Sequence, residues 1–154
     1  MSNSQATYHD AELVLKLYDL RREAVMREAR NFIGTFNPTS VDEFLAVTFA
    51  FGTKENAYAR QVLGYWEMAA SLIVHGTLNA DLAQDTLGEM IFVYAKVQPF
   101  LKEIRQRLNT PEFLQNVEKV VEGTPEGRDR LTRMQQRMKE FAARMQPKSE
   151  RQSA

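Results

Sequence analysis

Residues 54–75 read KENAYARQVLGYWEMAASLIVH, and this stretch decides the fold. Its apolar side chains recur three and four residues apart around nearly the whole circumference, which is typical of a central helix covered on several sides. Thr53 is a suitable cap for its start, and Gly76 ends it. We expect Trp66 to be largely buried, in a core that also contains Leu63, Ala70, Ile73, Met90 and Val93.

The chain beyond Gly76 continues the helical pattern over residues 79–108. Pro99 lies inside this pattern and predicts a kink, because proline removes a backbone hydrogen bond and clashes with the preceding turn. The short connection between the two long segments predicts a central antiparallel hairpin. Counting outward from that turn places Gly64 opposite Phe92.

Further helices flank the hairpin on both sides. An amphipathic pattern predicts one long first helix over about residues 8–33, and Ser40 opens a short helix over residues 41–51. Thr110 and Thr124 are each followed by Pro-Glu, which is typical of a helix start. The second of these signals opens a last helix over residues 125–145.

No segment alternates between apolar and polar residues as a strand does, so the fold class is all-α. We predict a bundle of about six helices around the central hairpin. Residues 8–145 form a single helical domain in this interpretation. The polar ends, residues 1–7 and 146–154, are expected to be disordered.

The composition excludes several classes of function. The 154 residues contain 20 Lys or Arg and 20 Asp or Glu, no Cys and two His. Without cysteine there are no disulfides or thiolate metal sites, and neither histidine follows a glutamate at the three-residue spacing of a di-iron bundle. Phosphate-loop, dinucleotide-binding and nucleophile-elbow motifs are absent. We therefore expect no catalytic residues, no cofactor, no metal and no enzymatic activity.

The location expected from the sequence is cytoplasmic. The first seven residues are polar and uncharged, unlike a signal peptide. The longest apolar runs are too short to span a bilayer.

A polar or small stripe on residues 54–75 is the first candidate site. If the hairpin forms, Glu67 faces Glu89 across it. One interpretation is a cleft for a small ligand or a cation; the other is a structural seam, in which Arg27, Arg30 or Arg60 neutralises the acids. Together with Glu89 from the second arm, this candidate polar stripe comprises Arg60, Glu67, Ser71, His75 and Glu89.

The last helix carries the second candidate site, an apolar seam with coiled-coil spacing bordered by arginines. Residues 128–154 hold eight Lys or Arg against three acids. We expect this seam to mediate a homodimer or to bind a protein partner, with nucleic acid a less favoured partner. The seam comprises Leu131, Met134, Met138, Phe141 and Met145.

One stretch of the chain resembles a known family. Trp66-Glu67 on one helix, Gly76 and Asp81 around the following turn, Gly88 in the next helix and a terminal Arg105 are similar to the bacterial family of unknown function DUF4760. The resemblance covers roughly residues 53–121. It implies an all-helical fold and no particular reaction, and it implies that Glu67 and Gly88 serve the hairpin itself.

The sequence therefore favours a non-enzymatic cytoplasmic helical protein that acts by oligomerisation or partner binding. The alternative is small-ligand or cation binding in the polar stripe.

Overall fold

The structure, a computed structural model, describes residues 5–145, and all regular secondary structure in that range is helical. The all-α fold class is confirmed, but the helices are shorter and more numerous than the six predicted. In chain order they are α1 (Tyr8–Arg22), α2 (Ala24–Thr35), α3 (Val41–Thr48), α4 (Lys54–Val74), α5 (Ala80–Thr86), α6 (Glu89–Val97), a 3-10 turn (Gln98–Phe100), α7 (Leu101–Leu108), α8 (Gln115–Glu122) and α9 (Pro125–Met145).

The predicted long first helix is wrong, because the chain breaks at Glu23. The backbone of Glu23 is extended, with ψ at 141°, and its side chain accepts a hydrogen bond from the Met26 amide at 2.9 Å. Glu23 thus ends α1 and caps α2. Glutamate is not among the preferred capping residues, and the apolar spacing continues across it, so neither signal predicts this break.

The two long arms of the predicted hairpin are not the central pair of the fold. The first arm, α4, packs most extensively against α2 and α8, and α3 also contacts it. The second arm divides into α5, α6, the 3-10 turn and α7. Within it, α5 packs against α1, whereas α6 packs against α8 and α9.

The second arm divides at Leu87 and again at Pro99. Leu87 leaves the helical region, with φ at −109° and ψ at 40°, and α6 starts after Gly88. The Thr86 carbonyl at the end of α5 accepts a hydrogen bond from the Tyr18 hydroxyl at 2.6 Å. The second interruption agrees with the kink predicted at Pro99, since this residue lies in the 3-10 turn.

The two Thr-Pro-Glu signals have different outcomes. Thr124 caps α9 as predicted, because its hydroxyl accepts from the Gly127 amide at 3.0 Å. The segment after Thr110 forms turns instead, and α8 starts only at Gln115. Asn109 and Leu114 both take left-handed backbone conformations there, with φ at 51° and 53°.

The predicted core is confirmed, since Trp66 and its five predicted neighbours are all buried. At the N-terminus, Thr7 is part of the fold, because it forms a reciprocal capping box with Asp10. The remaining predictions of disorder, for residues 1–4 and 146–154, lie outside the described residues.

Two glycines inside helices have opposite surroundings. A Cβ atom built on Gly127 would lie 2.1 Å from the Val121 carbonyl oxygen, so the start of α9 crosses the end of α8 at a distance that only glycine permits. A Cβ built on Gly64 meets nothing within 4 Å. The predicted contact between Gly64 and Phe92 is therefore wrong, because no side chain covers that stretch of backbone.

We predict that alanine has opposite effects at these two positions. Gly64→Ala should raise the free energy of unfolding by about 0.5–1 kcal/mol, since alanine is the better helix former and has room. Gly127→Ala should lower it by about 1–3 kcal/mol through overpacking. Urea unfolding of both variants measures the difference, and equal effects would contradict the close crossing of α8 and α9.

Candidate functional site

The residues of the predicted polar stripe do not form one site in the structure. Arg60 is exposed, the Ser71 hydroxyl donates to the Met68 carbonyl of its own helix, and His75 is the exposed C-cap of α4. Within residues 5–145, none of the three forms a hydrogen bond or an ion pair with Glu67 or Glu89. The two acids of the stripe, Glu67 and Glu89, contact different elements.

Glu67 caps a helix that belongs to another part of the chain. Its carboxylate accepts hydrogen bonds from the Asn116 amide at 3.0 Å, the Asn116 side chain at 2.7 Å and the Val117 amide at 3.2 Å. These amides lie in the first turn of α8, and Leu114, the residue before α8, has no side chain that could cap it. A carboxylate is favoured there by the unpaired amides and by the helix dipole. The structure therefore assigns Glu67 a structural role.

Glu89, the first residue of α6, binds two arginines from α1 and α2. The Arg21 Nη2 atom lies 2.6 Å from the Glu89 Oε2 atom. Arg30 binds the same carboxylate with two nitrogens, Nε at 2.8 Å from Oε1 and Nη2 at 2.6 Å from Oε2. Sequence analysis included Arg30 among possible partners of the acids, but it did not name Arg21.

The break at Glu23 makes this arrangement possible. In one continuous helix, Arg21 and Arg30 would lie about two and a half turns apart and point to opposite faces. With the helix interrupted between them, both guanidinium groups reach one carboxylate. Arg30 also donates to the Arg21 carbonyl at 3.4 Å, across the break. We call Arg21, Arg30 and Glu89 the arginine cluster.

The cluster keeps Glu89 ionised. Burial alone raises the pKa of the Glu89 carboxyl, but the hydrogen bond from Arg30 and the charge of Arg21 outweigh burial, so that the pKa lies below its usual value. The hydrogen bond to Glu89 also raises the pKa of Arg30. This outcome agrees with the second interpretation of the sequence, in which an arginine neutralises the acid.

This geometry does not support the cation-binding alternative, because the two acids that were to bind the cation do not face each other. It depended on Glu67 facing Glu89, and these acids bind α8 and the arginines instead. Across residues 5–145, no group of three or more acidic or histidine side chains is placed to hold a metal ion.

Lys96 is a buried lysine on α6, with 7% of its surface exposed. Its ammonium group donates to the carbonyls of Gly34 and Phe36, at 3.2 and 3.0 Å, and to the Asn37 side chain at 2.6 Å. It also lies 4.7 Å from the centre of the Phe92 ring. Lys96 thereby caps the C-terminal end of α2, where a positive charge is favoured.

The residues of the candidate interface on α9 become more exposed towards the C-terminal end of the helix. Leu131 is 5% exposed, and Met134 and Met138 are half-buried against the core. Phe141 and Met145 are 66% and 71% exposed. The structure thus divides the predicted seam into a half that packs on α6 and α8 and a half without a cover among the described residues.

Comparison with known proteins gives one match. The model of the family described as domain of unknown function (DUF4760) matches residues 6–124, which include α1 to α8. The matched region contains the arginine cluster, Glu67 and Lys96, and it ends directly before α9. No curated protein and no solved structure matches the chain. Among residues 5–145, none of the helices combines the length and the apolar character that a membrane span requires.

We predict that Glu89→Gln lowers the free energy of unfolding by about 2–4 kcal/mol, because two largely buried guanidinium groups lose their counter-charge. Arg107→Gln is the control: Arg107 forms ion pairs with Asp42 and Glu103 at the surface, and its loss should cost much less, because exposed ion pairs contribute little to stability. Chemical denaturation measures both. A Glu89→Gln variant as stable as the control variant would contradict a structural role for the cluster.

We predict that the contribution of Lys96 to stability increases above pH 8. Burial lowers the pKa of Lys96 from 10.5 to about 8. The unfolded chain therefore binds this proton more tightly than the folded chain, so raising the pH from 8 towards 10.5 favours folding, by about 1–3 kcal/mol in total.

The measurement compares the native chain with Lys96→Met by urea unfolding at pH 7.5 and pH 9.5. The difference in unfolding free energy should shift in favour of the native chain at the higher pH. Tyr65 and Tyr94, whose pKa values burial raises, titrate in both proteins and cancel in the comparison. A difference that stays constant, or that shifts towards the variant, would contradict the prediction.

Proposed function

The chain belongs to the DUF4760 family, whose description assigns no activity, and we propose from the geometry that it acts by self-association through the second half of α9. The proposal is of a non-enzymatic cytoplasmic protein that forms a homodimer. The observation that carries it is the apolar seam, which continues with the same spacing from the buried Leu131 to the exposed Phe141 and Met145.

The packing of α9 on the bundle supports one arrangement of the two copies. Since α6 and α8 cover the seam at the N-terminal end of α9, a partner helix on the same face has room only at the C-terminal end. Two copies meet there if their α9 helices run antiparallel, with each bundle at an opposite end. The contact then involves Met138, Phe141 and Met145 of both copies, with the same patch facing itself, as two-fold symmetry requires.

The size and charge of this face predict a weak dimer. About two helical turns are available, and the area that they can bury is well below that of a stable interface. Over residues 133–145, four basic residues stand against the single acid Glu140. In the antiparallel arrangement, with Met138 opposite Met145, Lys139 of one copy lies at the level of Arg144 of the other. Because salt screens this repulsion, we expect the dimer to become tighter as the salt concentration rises.

The sign of this salt dependence distinguishes the homodimer from the other partners. An acidic protein, nucleic acid or an anionic membrane surface would bind the basic face more weakly at high salt. Sedimentation of the full chain over a range of protein concentrations, at low and high salt, is therefore the informative experiment.

We predict a concentration-dependent dimer that Phe141→Glu abolishes, because a charged group replaces the largest apolar side chain of the seam. Thr132→Glu is the matched control, since it adds the same charge to an exposed position of α9 away from the seam. It should leave the dimer intact. A native chain that stays monomeric at every concentration and salt, or a dimer unaffected by Phe141→Glu, would contradict the proposal.

A further inference from the structure

A cavity of about 280 Å³ lies beside the arginine cluster, between α2 and α6. Arg27, Arg30 and Asn31 line it from α2, and the Glu89 carboxylate, the Phe92 ring and Val93 line it from α6. The buried Ile33 adds a further apolar surface. The cavity thus has a polar, positively charged side and an apolar side, and its volume is near the lower end of the range for small-molecule sites.

The positive charges around this cavity exceed the negative ones. The single carboxylate of Glu89 faces both Arg21 and Arg30. Arg27 adds a third guanidinium group, which forms no hydrogen bond or ion pair within the part of the chain that the structure describes. Its electrostatic contact is with Glu23, the residue that caps the start of α2. Lys96 stands behind the Phe92 ring and adds a further positive charge.

Part of this surplus is buried, which is unfavourable without a counter-charge. Arg21 is 9% exposed, and its Nε atom has no hydrogen-bond acceptor. The rings of Tyr18 and Trp66, at 4.8 and 5.5 Å from the guanidinium carbon, stabilise the cation only in part. A buried charge normally has a full partner. Arg21 does not line the cavity, but an anion there would add negative charge beside Arg30, which shares the Glu89 carboxylate with Arg21.

We propose that this cavity binds a small organic anion. Its phosphate or carboxylate head group contacts Arg27 and Arg30, which present planar nitrogen donors suited to such oxyanions. The Asn31 amide offers a further donor. The apolar body of the ligand lies against the Phe92 ring. This site is separate from α9, so it does not depend on the proposed self-association.

The test is calorimetric titration of the full chain with four probes: phenyl phosphate, benzoate, inorganic phosphate and benzyl alcohol. Phenyl phosphate should bind at least about 10-fold more tightly than inorganic phosphate, and benzyl alcohol should not bind measurably. Comparison of phenyl phosphate with benzoate shows which head group the arginines prefer. Absence of binding by both aromatic anions at millimolar concentration would overturn the proposal.

Substitutions then locate the binding site. Arg27→Gln should weaken phenyl phosphate about 10-fold, the loss expected for one charge-assisted hydrogen bond. Since Arg27 is exposed and outside the arginine cluster, this variant keeps the fold. Arg22→Gln, which removes an exposed arginine at the end of α1, is the matched control and should bind normally. Equal losses in both variants would mean that only the net charge matters and would overturn the site.

Two more variants test the apolar wall and the independence of the site. Phe92→Leu should weaken phenyl phosphate but leave inorganic phosphate unchanged, and an equal effect on both would overturn the placement of the apolar body. Phe141→Glu should bind all four probes like the native chain. The two proposals can therefore fail independently. The chain can bind the anions without forming a dimer, or form a dimer without binding the anions.

Discussion

The carboxylate of Glu89, shared by Arg21 and Arg30, connects α1, α2 and α6 through one largely buried group of charges. It requires the chain to break at Glu23, because nine residues of continuous helix would turn the two arginines away from each other. Once broken, α1 and α2 pack on different neighbours, α1 on α5 and α2 on α4. The position of Glu89 in the first turn of α6 adds a favourable interaction with the dipole of that helix.

The other short helices also depend on groups supplied by distant parts of the chain. Glu67 caps α8 from α4, Lys96 caps α2 from α6, and the Tyr18 hydroxyl satisfies a carbonyl at the end of α5. Helices of seven to twelve residues are marginal in isolation, so contacts of this kind determine where they begin and end. The consequence is a bundle in which several buried polar groups serve the architecture.

This dependence explains what sequence reasoning could and could not predict. Helical periodicity gave the fold class, the burial of Trp66 and the extent of α4 and α9, because these depend on local pattern and on apolar area. It missed the breaks at Glu23 and Leu87, where neither residue is a usual helix breaker. It also placed Glu67 opposite Glu89, because hairpin counting assumes that the second arm stays continuous. The sequence offered Arg30 as a partner of the acids but not Arg21, since the two arginines come together only after the first break.

The two surfaces proposed here belong to different parts of the chain. The anion cavity lies within the region that matches the family, and the exposed seam of α9 lies beyond it.

The position of the cavity depends on Arg21 and Arg30 sharing one carboxylate across a broken helix. A double-mutant cycle with Arg21→Met and Arg30→Met tests that claim directly. We predict that the double variant loses at least about 1 kcal/mol more unfolding free energy than the sum of the single variants, because only it leaves Glu89 without a counter-charge. Additivity within about 0.5 kcal/mol, which independent residues on opposite faces of one helix would show, would contradict the account.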